Sequence, residues 1–214
     1  MYLFTRTARL GHGHVPQATE WAHNVTDRVH QITGTDVQLW TPMFSPGVGT
    51  LVWSLFAPDL TTLETVNDKL AVDAGFTMLL EDGAGFLASD AIDDNITTIV
   101  HGTIDADAPP AQYVSVVMAQ LAAGSFRKGV EVGIEIARRA EAISGIPTLF
   151  TLDNTGGYGV VRWLSGAPDV STLERSEQLV NSDPSFIEYI DTVGSQVYSA
   201  DLGATQQAIY RRVS

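Results

Sequence analysis

Two histidines alternate with glycines in the segment from Gly11 to His14, between a predicted strand and a predicted helix. An imidazole can act as a general base near neutral pH, and a glycine-rich turn at one end of a sheet is a place where a pocket can open. We therefore predict His14 and His12 as catalytic residues. The same segment also fits a helix-entry loop with two exposed imidazoles, so both interpretations stay open.

A second group of metal-ligating side chains shares one face of the first predicted helix, at spacings of three, four and seven residues: Glu20, His23, Asp27 and His30. Imidazole and carboxylate in that arrangement could bind a divalent cation. The opposite face of this helix carries the apolar stripe that must pack on a sheet: Trp21, Val25, Val29 and Ile32. The polar group therefore faces water, and we predict no metal site.

Arginine and tryptophan side chains on predicted strands are the candidates for ligand binding. Arg6 and Arg162 each share a strand face with apolar residues, and an unpaired buried charge is costly. Each arginine would bind an acidic ligand or pair with an internal carboxylate. Trp40, Trp53 and Trp163 would line an aromatic pocket or pack in the core.

Composition restricts the partners of the 214-residue chain. Acidic residues outnumber basic ones 25 to 12, and the net charge of −13 disfavours nucleic acid and anionic membrane surfaces. The absence of cysteine excludes disulfides and thiolate chemistry. Arginines near the N-terminus and the lack of a long apolar segment predict a cytoplasmic protein without a membrane span.

An internal repeat organises the chain. The segment Ala57–Glu64 recurs as Ala167–Glu174, with six of eight positions identical and a spacing of 110 residues. At the same spacing Trp53 matches Trp163, Asp73 matches Asp183 and Phe76 matches Phe186. The proline-containing segment 105–110 suits a linker. We therefore predict two tandem domains, residues 1–104 and 105–214.

In each half the residue patterns predict the order strand, helix, strand, strand, helix, strand, which is the ferredoxin-like βαββαβ topology. Capping boxes at Thr61–Glu64 and Ser171–Glu174 predict helix starts, and Asp73 and Asp183 open a second helical piece in each half. The strands near Leu51 and Val114 barely alternate between apolar and polar residues. Both sheet faces are therefore expected to be covered, one by helices and the other by the second half.

With this topology, the duplication and the helix start at Asp183–Phe186, the chain resembles the dimeric α+β barrel superfamily. The resemblance implies an α+β fold in which two tandem ferredoxin-like repeats pack sheet to sheet, as an intramolecular dimeric barrel. It also implies a set of functions rather than one, because no catalytic motif carries it. Members include cofactor-free monooxygenases of aromatic polyketides, haem-degrading or haem-dependent enzymes, and small isomerases.

The resemblance leads to three alternatives for function. The first is binding of a small aromatic or hydrophobic molecule, with cofactor-independent monooxygenation in which His12 or His14 is the base. Arg6 or a tryptophan N–H would donate to the developing negative charge. The second is a non-catalytic ligand-binding or assembly protein. The third is a haem protein with His101 as axial ligand, although a histidine on an apolar strand is also typical of ordinary packing. Further homo-oligomerisation stays open.

Overall fold

The computed structural model describes residues 1–11, 13, 15–47, 49–104, 109–201 and 203–213, and the side chains of residues 89–91 lie outside that description. The chain divides into two compact units: Met1–Thr97 with Arg212–Ser214, and Thr98–Arg211. The division falls inside a long strand that ends at His101, a few residues before the predicted boundary at 104/105.

The first repeat has the predicted order of elements. They are β1 (Tyr2–Leu10), α1 (Val15–Thr33), β2 (Gln38–Pro42), β3 (Thr50–Ala57), α2 (Leu60–Ala71), α3 (Ala74–Gly83) and β4 (Leu87–His101). The second repeat contains β5 (Tyr113–Gln120), α4 (Phe126–Ser144), β6 (Thr148–Asp153), β7 (Val160–Ala167), α5 (Val170–Ser182), α6 (Pro184–Thr192) and β8 (Gln206–Arg212). In both repeats the second predicted helix is a pair of shorter helices.

The sheet of each repeat has the strand order of a ferredoxin-like fold. The order is β4-β1-β3-β2 in the first repeat and β8-β5-β7-β6 in the second. The register is also shared, because Tyr2 pairs with Ala57 in one sheet and Tyr113 pairs with Ala167 in the other. Helices α1 and α4 have 19 residues each, so their positions correspond one to one.

Aspartates start the paired helices, but two of the starts differ from the prediction. Asp59 and Asp169 are the N-caps of α2 and α5, and their carboxylates accept hydrogen bonds from the backbone N–H of Thr62 and Thr172. The capping boxes predicted at Thr61 and Ser171 are therefore wrong, because an aspartate two residues earlier satisfies the free N–H groups first. Asp73 and Asp183 cap α3 and α6 as predicted.

Each unit has its own apolar core on the helix side of its sheet. In the first unit Trp21 of α1 packs with Trp53 and Phe76, and in the second Val132 of α4 packs with Phe150 and Trp163. None of the helices in the described part of the chain combines the length and apolar character that a membrane crossing requires.

Candidate functional site

A pocket of about 530 Å³ lies within the second unit, between its sheet and its helices. Strands β5, β6, β7 and β8 supply one wall, and α4, α5 and α6 supply the other. Pockets of this volume accommodate small organic molecules. The lining has two chemically different parts, one aromatic and one polar.

The aromatic part consists of Trp163, Phe186 and Tyr198. The Trp163 indole N–H donates to the carbonyl of Gly133 at 2.9 Å, and the Tyr198 hydroxyl donates to the carbonyl of Gly129 at 2.9 Å. The two rings meet edge to face with centroids 5.4 Å apart. Burial raises the pKa of Tyr198 above its ordinary value, so this phenol stays protonated. With both donors bound to the backbone, these side chains offer a ligand mainly apolar ring surface.

The polar part begins with a row of hydroxyls that crosses three neighbouring strands. Ser115 of β5 pairs in register with Ser165 of β7, which pairs with Thr148 of β6. All three residues line the pocket, and the hydroxyls of Thr148 and Ser165 lie 2.9 Å apart. A hydroxyl both donates and accepts, so this row can adapt to more than one polar group.

Glu177 of α5 is the half-buried carboxylate of the pocket. Its Oε1 accepts hydrogen bonds from the Ser115 hydroxyl at 2.9 Å and from the Gln207 side-chain amide at 3.3 Å. Its Oε2 has no hydrogen-bond partner among the residues that the structure describes. The carboxylate is thus oriented through one oxygen and can accept a proton or a hydrogen bond through the other.

The predicted arginines are each paired with an aspartate. Arg6 binds Asp94 through two hydrogen bonds of 2.7 Å, and this interaction raises the pKa of the Arg6 guanidinium. Arg162 binds Asp153 through hydrogen bonds of 2.9 and 2.7 Å, and the Asp153 side chain is only 2% exposed. Bidentate pairs of this kind satisfy the guanidinium internally. The ligand-binding role of both arginines stays a prediction.

The predicted tryptophans differ in their surroundings. The Trp40 N–H donates to Ser54 at 2.8 Å, and the Trp53 N–H donates to Thr26 at 3.1 Å. Both lie in the first unit. Only Trp163 of the three lines the pocket described above. The structure therefore places one predicted ligand-binding residue at this site.

The predicted histidines are not among the described residues that line the pocket. His12 and His14 lie outside the described residues, and their catalytic role stays a prediction. The Nε2 atom of His101, at the end of β4, lies 3.5 Å from Oε2 of Glu141. An axial ligand must face the cavity that holds the haem. The described lining of this pocket does not fit haem with His101 as ligand.

Sequence reasoning missed Ser115, Ser165 and Glu177. A signal was present in the repeat, because the register aligns Ser115 with Phe4 and the spacing of 110 residues aligns Ser165 with Leu55. At each of these positions a polar side chain in one copy replaces an apolar one in the other. Comparing the two copies position by position would have indicated a polar site in the second half.

No protein-family model matches this sequence, and no curated protein matches it. Solved structures match it in fold. A proposed monooxygenase from Fusobacterium nucleatum subsp. nucleatum has a TM-score of 0.69 at 8% identity, covering 100% of this chain and 92% of the other. An anthrone oxidase-like protein has a TM-score of 0.67 at 9% identity, covering 100% of this chain and 91% of the other.

A proposed chlorite dismutase has a TM-score of 0.57 at 12% identity, covering 100% of this chain and 96% of the other. These likenesses extend over the whole chain. They confirm the predicted fold class, two tandem ferredoxin-like repeats with the fold of the dimeric α+β barrel superfamily. At these identities the likeness concerns the fold and not the activity.

Proposed function

We propose that the pocket of the second unit binds a small aromatic molecule and that the protein oxygenates it with dioxygen, without a cofactor. The observation that carries this proposal is a pocket of about 530 Å³ that combines aromatic walls with the oriented carboxylate of Glu177. The similar structures described as a proposed monooxygenase and an anthrone oxidase-like protein support the choice of reaction.

The reaction would convert a phenol to a quinone. The ring stacks against Trp163 and Phe186, and its hydroxyl donates a hydrogen bond to Glu177. As Glu177 accepts the proton, the ring becomes electron-rich enough to reduce dioxygen. The carbon para to the hydroxyl exchanges its C–H bond for a C=O bond. One oxygen atom enters the quinone and the other leaves as water, so the substrate loses four electrons and dioxygen gains four.

Glu177 is the proton acceptor in this proposal, because it is half-buried, whereas Asp191, the other carboxylate of the described lining, is exposed. His12 and His14, predicted from the sequence, remain alternative bases. Glu177→Gln should lower the rate without changing the volume of the pocket, because glutamine is nearly the same size as glutamate but cannot accept the proton. The matched control is Glu174→Gln, which removes an exposed carboxylate three residues earlier on the same helix α5.

The test uses anthrone, whose enol form is a phenol with a free para carbon. Oxygen uptake and anthraquinone formation are measured with the whole protein in the presence of a chelator, above the uncatalysed rate. We expect one dioxygen consumed per quinone, and a kcat/KM about tenfold or more lower in Glu177→Gln but not in Glu174→Gln. If the rate is unchanged in Glu177→Gln but is lower in His12→Ala or His14→Ala, that histidine is the general base. Anthrone binding without oxygen uptake would instead support the non-catalytic alternative.

A further inference from the structure

We infer that the polar part of the pocket is a head-group site that selects aromatic ligands with a hydrogen-bond donor, a hydroxyl or an amine, and rejects aromatic carboxylates. This inference rests on the proposed binding of an aromatic molecule in the same pocket. It does not depend on the oxygenation reaction. The reasons are the clustering of the hydroxyls, the unused hydrogen-bonding capacity beside them, and the sign of the charge around them.

The hydroxyls cluster at one level of the sheet and in one repeat only. Ser115, Ser165 and Thr148 follow one another across three strands. In the first repeat the residues at the corresponding positions are all apolar, namely Phe4, Leu55 and Val37. A buried sheet surface is normally apolar, and these hydroxyls bond to Glu177 and to one another. A hydroxyl that donates one hydrogen bond can still accept another, so three of them at a pocket wall can also bind a polar group of a ligand.

Helix α5 adds two groups with unused hydrogen-bonding capacity. Ser176 is 7% exposed and lines the pocket, and its hydroxyl has no hydrogen-bond partner among the residues that the structure describes. The Oε2 atom of Glu177 is likewise unpartnered within the described chain. The aligned residues of the first repeat are Val66 and Asn67. The Ser176 hydroxyl can donate or accept a hydrogen bond, whereas a carboxylate only accepts.

The charge around this head-group site has one sign. The ionisable acids lining the pocket are Glu177 and Asp191, and no arginine, lysine or histidine is among its described lining residues. The whole chain carries a net charge of −13. A ligand carboxylate would lose its hydration beside the Glu177 carboxylate, with no cationic side chain in the described lining to offset the repulsion, which is unfavourable. A ligand hydroxyl or ammonium would instead donate a hydrogen bond to Glu177.

Three probes with the same bicyclic body separate the head groups: 2-naphthol, 2-naphthylmethylamine and 2-naphthoate. Their binding to the whole protein is measured by calorimetry at neutral pH without oxygen, so that turnover plays no part. We expect naphthol or the amine to bind about tenfold or more tightly than naphthoate. Preference for the amine over naphthol would identify a cationic head group, and the reverse a neutral one.

Two variants test which residues produce the selection. Glu177→Gln should reduce the preference over naphthoate to about threefold or less, while Glu174→Gln leaves it unchanged. Ser176→Ala should weaken naphthol binding severalfold and keep the discrimination against naphthoate, because it removes a hydroxyl and no charge. Equal or tighter binding of naphthoate by the parent protein would overturn the inference, and so would an unchanged preference in a folded Glu177→Gln variant. If none of the probes binds, the aromatic pocket itself is refuted, whereas selective binding without oxygen uptake refutes only the reaction.

Discussion

The two repeats have one topology and one register but differ on the helix side of their sheets. In the first repeat Trp21 of α1 meets Trp53 edge to face at 5.9 Å and donates its N–H to the carbonyl of Leu79 at 2.6 Å. The corresponding residue of α4 is Val132, and the second repeat contains the pocket. The two copies therefore place a large ring and a small side chain at the same position of the long helix that packs on the sheet.

The second helix of each pair, α3 in the first repeat and α6 in the second, is also held differently. In the first repeat Arg28 forms a bidentate ion pair with Asp73, the N-cap of α3: Nε donates to Oδ1 at 3.0 Å and Nη2 to Oδ2 at 2.7 Å. In the second repeat the corresponding Arg139 donates a hydrogen bond to Glu135 at 2.9 Å. Its guanidinium carbon lies 4.2 Å from the centroid of the Tyr189 ring. Helix α3 therefore has a bidentate ion pair to α1, whereas the corresponding arginine of α4 contacts α6 through the Tyr189 ring.

The largest effect should come from truncating Trp21, a large ring of the first unit's core. Trp21→Ala should lower the free energy of unfolding by about 3–5 kcal/mol, because a large buried ring leaves a cavity. Val132→Ala, the matched change in the second repeat, should cost about 2 kcal/mol, since it removes only two methyl groups. Urea unfolding measures both. Equal losses would contradict the larger contribution of the Trp21 ring to the free energy of unfolding.

The second effect probes how closely the Trp21 ring is packed. A methyl group added to Gly83 at the end of α3 would overlap the Trp21 indole. Gly83→Ala should therefore cost about 1–3 kcal/mol through overpacking. Gly85→Ala is the control, since a methyl group there meets nothing within 4 Å, and it should change stability by less than about 0.5 kcal/mol. Similar thermal unfolding of both variants would contradict the packing described here.

The repeat explains why the fold was predictable from the sequence. Matches such as Trp53 with Trp163 share one spacing, and periodicity then assigns the elements of both copies at once. Local helix starts were less secure, because Asp59 lies only two residues before the threonine of the predicted capping box. Hydrogen bonding of the N-cap depends on backbone geometry that the residue types alone do not specify.

The candidate site was mostly beyond such reasoning. Glu177 lies on a helix with many polar residues, so its type and spacing do not distinguish it from the exposed Glu174. Its proximity to Ser115 and Gln207 arises from contacts between residues 30 to 62 positions apart in the chain. Sequence analysis selects local motifs, whereas the residues of this pocket are distant in the chain and are brought together only by the fold.

The third prediction transfers one residue of the first repeat into the pocket wall of the second. Ser165→Leu copies Leu55 into the pocket wall. We expect about a tenfold or greater loss of 2-naphthol affinity, while stability changes by less than about 1 kcal/mol. The added apolar burial offsets the lost hydrogen bond to Thr148. Calorimetry and urea unfolding separate these effects, and unchanged affinity would mean that the ligand binds elsewhere.

The smallest effect concerns how acid acts on the two helix caps. The hydrogen bond from Arg28, followed by that from the Phe76 N–H, lowers the pKa of Asp73. The pKa of Asp183 is also lowered, mainly by the hydrogen bond from the Ser185 hydroxyl and then by the hydrogen bond from the Phe186 N–H. A carboxyl whose pKa is lowered by folding stabilises the protein above its unfolded pKa of about 3.9, and the contribution is lost as the pH falls through the folded pKa.

Asp73→Asn and Asp183→Asn keep a capping side chain but remove its charge. At neutral pH we expect Asp73→Asn to lower the Tm more than Asp183→Asn. Asp73 forms a bidentate ion pair with Arg28 of α1, whereas Asp183 accepts hydrogen bonds from Ser185 and from the Phe186 N–H. As the pH falls through the folded pKa of Asp73 the two variants should converge, because the parent protein loses the same charge. Arg28→Met should reproduce the pH dependence of Asp73→Asn if the ion pair is its source. A difference that persists in acid would instead assign it to cap geometry, and the contrast between the two helices would no longer be one of charge.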